Sequence, residues 1–176
     1  IEAREIDEIT KFPEILDGRV KTLNPRIHGG ILFRRDKEEH RRVIEEMGIF
    51  PIHMVVNNLY PFEETVTKKG VGMEEAIENI DIGGPSMIRA AAKNFQDVTV
   101  VIDPADYNQV LLELKQNGDT RPETGLELAR KVFSYTAYYD ALIAQYFNEL
   151  CQEAFPDYLT LAYRKKDQLR YGENPH

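Results

Sequence analysis

Apolar residues recur along this chain in two rhythms, short unbroken runs and longer stretches at helical spacing, and their alternation predicts the architecture. Ile49 to Val56 carries Ile52, Met54, Val55 and Val56 as a largely apolar run, as expected of a strand covered on both faces in a parallel sheet. Val98 to Ile102 is a second such run, closed by Asp103-Pro104, which opens a helix reaching to about Asn117. Asp36 with Glu39 forms a capping-box-like start and Gly48 a stop, so residues 36 to 47 read as a helix. Gly72 to Ile80 and Pro85 to Lys93 read as shorter helices. From Glu123 to Glu153, residues such as Leu126, Ala129, Val132, Ala137, Ala141 and Leu150 keep near-helical spacing, over a length that suggests two helices or one with a bend. The result is an α/β fold, a layered, mostly parallel sheet with flanking helices, with ligands expected beyond the carboxyl ends of the strands.

Composition narrows the classes. The 176 residues suffice for one domain whose core stands without disulfides or metal. The lone Cys151 sits in apolar helical spacing and reads as a small buried or half-buried side chain, and thiol-poor usage fits a reducing, cytoplasmic setting. No apolar run approaches the length of a membrane helix, so no membrane partner is expected. A net charge of −8 argues against a broad nucleic-acid surface while leaving room for a local phosphate pocket. The mixed charges from Arg34 to Arg42 read as a solvated helix face. The aromatic residues Phe133, Tyr138, Tyr139, Tyr146 and Phe147 read as core or subunit interface.

Candidate chemistry gathers in a few segments. Asp81-Ile-Gly-Gly-Pro-Ser86 sets a carboxylate beside a glycine turn and a proline-started helix, whose amides suit an anion or carbonyl cradle; a plain helix cap has the same composition. Asn57, Asn58 and Tyr60 follow directly on the first strand, at its ligand edge, where the amides can read a purine-like edge or form an Asx turn. Arg19, Lys21 and Thr22 suit a phosphate or ribose, or an ordinary surface loop. His28 and His53 lack metal-ligand spacing, and no metal site is expected. Asp81 and Lys93 are the candidates for acid-base work, provided the loop before the helix folds back to join them.

These segments together resemble a known family. Arg19-Val-Lys-Thr-Leu-Asn-Pro25, Asn58-Leu-Tyr-Pro-Phe62, Asp81-Ile-Gly-Gly84, Arg89-Ala-Ala-Ala-Lys-Asn94 and Arg170-Tyr-Gly-Glu-Asn-Pro-His176 are similar, in order and spacing, to the bifunctional phosphoribosylaminoimidazolecarboxamide (AICAR) formyltransferase / IMP cyclohydrolases of purine biosynthesis. The resemblance implies a methylglyoxal-synthase-like fold over residues 1–163 and ring closure of formamido-imidazole-carboxamide ribotide (FAICAR) to IMP. Residues 164–176 would be the linker and the start of the formyltransferase domain. It implies Lys21, Tyr60, Asp81 and Lys93 as the catalytic set, and Arg19, Val20, Lys21, Thr22, Asn57, Asn58, Tyr60, Asp81, Ile82 and Gly83 as nucleotide-binding positions. Arg170 and Tyr171 would contact AICAR. The cyclohydrolase would need no cofactor, formyl-tetrahydrofolate would be the cosubstrate of the second domain, and the whole would be a cytoplasmic homodimer.

The chain departs from that family at Asn24, where a histidine is usual, and both ends look cut. The family's upstream phosphate loops and the formyltransferase domain would then lie outside it. A noncatalytic nucleotide-binding module of the same fold is the competing expectation, and a phosphate-eliminating lyase a weaker one. The polar segment Arg164 to Gln168 predicts an extended tail at Arg170 and Tyr171.

Overall fold

Two parallel strands organise the computed structural model, which describes residues 2–168. Strand β1 (Met54–Val56) pairs with β2 (Thr99–Val101) in a register that sets Val55 against Val100. Ahead of β1 lie helices α1 (Ile6–Thr10), α2 (Pro25–Leu32) and α3 (Glu38–Glu46). Between the strands run α4 (Phe62–Val66), α5 (Met73–Glu78) and α6 (Gly83–Lys93). A 3-10 turn at Pro104–Asp106, α7 (Tyr107–Asn117) and α8 (Pro122–Leu150) complete the order. This is the expected α/β arrangement of parallel strands and flanking helices.

The strands are shorter than their apolar runs for a local reason. Before Met54, the Ile49 N–H bonds the Ile44 carbonyl at 2.9 Å, the Ile52 N–H bonds the Gly30 carbonyl at 3.0 Å, and Pro51 has no N–H to give. That chain crosses Gly30 so closely that a Cβ there would lie 2.3 Å from the Phe50 carbonyl oxygen. Only glycine fits.

Helix α6 is the central packing element, lying against α2, α8 and both strands. Its Ile88, Ala90, Ala91 and Ala92 are buried, and the small alanines let neighbouring backbones approach. Phe62, Val98, Val100, Val101 and Val132 fill the same core. At the end of α6 the buried Asn94 side chain donates to the Ile31 and Phe33 carbonyls, at 2.8 and 3.1 Å, which satisfies oxygens left free where α2 ends. Asp103 caps the helical segment after β2, accepting from the Ala105 N–H at 2.9 Å.

Several local expectations change. Helix α3 begins at Glu38, because Asp36 pairs with Arg34 instead of capping it. Arg35 departs from the solvated charge run: its guanidinium sits 4.6 Å over the Phe33 ring and bonds the Ile52 carbonyl at 2.7 Å. Helix α6 starts at Gly83, two positions before Pro85. Residues 122 to 150 form one helix, and its buried Leu128, Ala129, Val132, Thr136 and Tyr139 recur at helical spacing. Cys151 is exposed at the end of that helix, where its apolar neighbours no longer meet the core.

Candidate active site

The carboxyl end of β1 runs straight into Asn57, whose N–H extends the ladder to the Val101 carbonyl at 3.0 Å. Asn58 turns the other way and donates its side-chain amide to the Ile102 carbonyl at 2.9 Å, tying the loop to the end of β2. Tyr60 then reaches Asp81: its N–H lies 3.4 Å from Asp81 Oδ2, while the Gly84 N–H donates to Asp81 Oδ1 at 2.8 Å. Asp81 thus spans the Tyr60 loop and the start of α6.

Two glycines permit this closeness. A Cβ on Gly84 would lie 2.4 Å from Asp81 Oδ2 and 2.9 Å from Asn57 Nδ2, and a Cβ on Gly83 would lie 2.5 Å from the Thr22 hydroxyl. Thr22, Asn57, Tyr60, Asp81 and Gly83, scattered over sixty residues of sequence, therefore meet at one sheet edge. Asn57 Nδ2 is buried and without a hydrogen-bond partner among the described residues, a donor left over for a ligand.

The expected cradle of α6 amides is smaller than its composition suggests. Asp81 takes the Gly84 N–H, Pro85 has none, and the Ser86 N–H bonds the Ile82 carbonyl at 3.4 Å. Gly83 keeps the remaining first-turn amide. Ile82 itself is exposed beside it.

The basic segment stands next to this edge on a tight turn, where Val20 bridges antiparallel to Ile15. Arg19 is paired with Glu78, and Lys21 Nζ lies 2.7 Å from Glu14 Oε2. Donating to the Glu14 carboxylate raises the Lys21 pKa and donating to the Glu78 carboxylate raises the Arg19 pKa, so both stay cationic. Two carboxylates thus hold both cations of the turn. Asn24 caps α2, accepting from the Arg26 N–H at 2.8 Å, which gives the unusual residue a structural task.

Lys93 is not brought to Asp81. The eleven-residue α6 separates them, about 15 Å at roughly 1.5 Å per residue, because the Ile82-Gly83-Gly84 segment enters the helix instead of folding back along it. Lys93 instead borders an open groove with His28, Leu32, Arg89 and Phe133. Arg170 and Tyr171 lie outside the described residues. A larger recess of about 940 Å³, lined by Arg35, His53, Asp97 and Thr120 among others, sits at the amino ends of the strands. The Asp81 edge remains the better candidate, since parallel sheets present ligand sites at the carboxyl ends of their strands.

Sequence reasoning missed Glu14 and Glu78, the partners of the cations, and Tyr139, whose hydroxyl meets the Asp81 backbone. An acidic residue just across a turn from Lys21 was the available signal for Glu14. The other two are joined by tertiary contact alone.

Comparison with known proteins bears on the family and the fold. Residues 1–86 match the family model of MGS-like domains, the class to which this parallel sheet with flanking helices conforms. Residues 91–176 match the model of the AICARFT/IMPCHase bienzyme, and the chain belongs to that family. The bifunctional purine biosynthesis protein PurH of Listeria monocytogenes serotype 4b (strain F2365) is 61% identical over 171 residues, 97% of this chain and 34% of the relative. The PurH of Caldicellulosiruptor saccharolyticus is 57% identical over 177 residues, 100% of this chain and 34% of the relative. The chain thus spans about a third of the length of these curated relatives. A crystal structure of ForH superposes with a TM-score of 0.73 at 40% identity, covering 84% of this chain and 76% of that one.

Proposed function

We propose that this chain carries the IMP cyclohydrolase site of its family and closes FAICAR to IMP. The observation that carries the reading is the junction at Asp81, where one carboxylate meets the Tyr60 loop and the start of α6 beside the free amide of Asn57. In the reaction the carboxamide nitrogen attacks the formyl carbon. One proton leaves that nitrogen, a second leaves the formamido nitrogen, and the formyl oxygen departs with both as water.

Asp81 is suited to accept a proton from the attacking nitrogen, and the Lys21 ammonium to stabilise charge on the formyl oxygen. Tyr60, Asn57 and Asn58 would hold the base in attack geometry. Arg19, Val20, Lys21, Thr22, Ile82 and Gly83 would line the ribose and phosphate side. Lys93 stays in the reading as a proton-transfer group, although within one subunit it stands too far from Asp81 to exchange a proton directly. That separation favours the second reading, a noncatalytic nucleotide-binding module.

In the wider protein, residues 164–176 would lead into a formyltransferase domain. Arg170 and Tyr171 would serve AICAR there and formyl-tetrahydrofolate would supply the formyl group. A cytoplasmic homodimer belongs to the same proposal.

The test is conversion of FAICAR to IMP by the gene product at its natural length, followed chromatographically. Turnover that falls a hundredfold or so in Asp81→Asn supports the cyclohydrolase. Calorimetric IMP binding without any turnover would establish the binding module instead.

A further inference from the structure

Tyr139 stands midway along α8, fifty-eight positions after Asp81, and is 4% exposed. Packing alone would be served by phenylalanine there, since a buried hydroxyl is unfavourable unless both its donor and its acceptor functions are met. Both are met by one short segment. The hydroxyl oxygen accepts from the Asp81 N–H at 3.0 Å, and the hydroxyl donates to the Asn79 carbonyl at 3.2 Å.

The ring reaches the other side of the site. It lies edge-on to Phe62, with centroids 6.2 Å apart at 64°, and Phe62 opens α4 immediately after Tyr60-Pro61. A single side chain of α8 therefore braces both segments that Asp81 joins. Burial pushes the Tyr139 pKa up, so the hydroxyl keeps its proton, and with it its donor role, at neutral pH.

We propose that Tyr139 is a positioning residue for Asp81: by clamping residues 79–81 against α8 it aims the carboxylate at the Gly84 and Tyr60 amides. This rests on the cyclohydrolase reading for its kinetic consequence, but its structural consequence can be read separately. Tyr139 acts through the turn alone.

The experiment compares Tyr139→Phe, Asp81→Asn and Val132→Ala in the gene product at its natural length, by amide hydrogen exchange, thermal melting and FAICAR turnover. Val132 is fully buried on the same helix and serves as a packing control. In Tyr139→Phe the Gly84 and Tyr60 amides should exchange faster, and kcat should fall about tenfold with KM nearly unchanged. Val132→Ala should lower the melting temperature and leave those two amides and kcat as they were. Unchanged exchange at Gly84 and Tyr60 in Tyr139→Phe, with a lowered melting temperature only, would reduce Tyr139 to a core residue and overturn the proposal. Faster exchange at both amides, with turnover unaffected by Tyr139→Phe and by Asp81→Asn alike, would uphold the clamp and overturn the cyclohydrolase assignment of the site.

Discussion

The Thr22 hydroxyl oxygen fills the space beside Gly83 so closely that a Cβ there would approach it to 2.5 Å. The basic turn and the start of α6 are thus held in contact by the absence of a side chain. Gly83→Ala should push them apart, with a stability loss of about 1–3 kcal/mol in denaturant titration. Thr22→Ala removes the colliding atom, so the double variant Gly83→Ala/Thr22→Ala should recover most of that loss. Additive effects in the cycle would show that the two residues are not coupled.

Asn94→Ala should be more damaging than a surface change. It leaves the Ile31 and Phe33 carbonyls without their donor in a buried place, at about 1–3 kcal/mol. Asn94→Asp should be no better, because a carboxylate cannot donate to either oxygen. Urea unfolding of the two variants checks both statements.

Asn24→Ala should cost about 1 kcal/mol through loss of the α2 cap, while Asn24→Asp should be nearly neutral. Turnover that survives Asn24→Ala would confine the residue to that capping task.

Acid should weaken the fold through Glu113. Its pKa is lowered to about 2, first by the backbone N–H of Arg121 and then by the Arg121, Thr124 and Gln109 side chains. A carboxylate whose folded pKa is depressed contributes stability fully above its unfolded pKa, near 4.5, and loses it as pH falls towards 2. Glu113→Gln should therefore be less stable than the parent at pH 7 and should show a shallower loss of stability between pH 4.5 and 2. Parallel acid limbs in the two proteins would rule Glu113 out as the titrating group.

Lys93→Ala decides a point that geometry leaves divided. A hundredfold loss of turnover with little change in IMP binding would bring Lys93 to the reacting atoms from a neighbouring copy. Unchanged turnover would remove it from the catalytic set.

The strands were legible because Val55, Val100 and Val101 are covered from both faces, and such burial leaves an apolar run in the sequence. Their lengths were not, because Ile49 and Ile52 look like strand residues yet bond to Ile44 and Gly30, partners no local pattern names. The site was legible where residues are consecutive, as at Asn57 to Tyr60 and Asp81 to Gly84. It was illegible where meaning depends on who arrives from afar: Glu14 on Lys21, Glu78 on Arg19, and Tyr139 beneath Asp81. Asp36 had the composition of a cap, but an arginine two residues away captured it.

The β1–β2 ladder has a consequence in time. Its two strands are separated in the chain by α4, α5 and α6, so the sheet cannot form from neighbours and must await a distant segment. A nascent polypeptide leaving the ribosome has β1 long before it has β2, and during that interval Val55 and Met54 have helices for company but no ladder to join. Synthesis thus imposes an order that the finished fold conceals: α4, α5 and α6 emerge before the sheet can pair and α7 and α8 after it, with the edge that carries Asn57 assembled only when Val101 emerges.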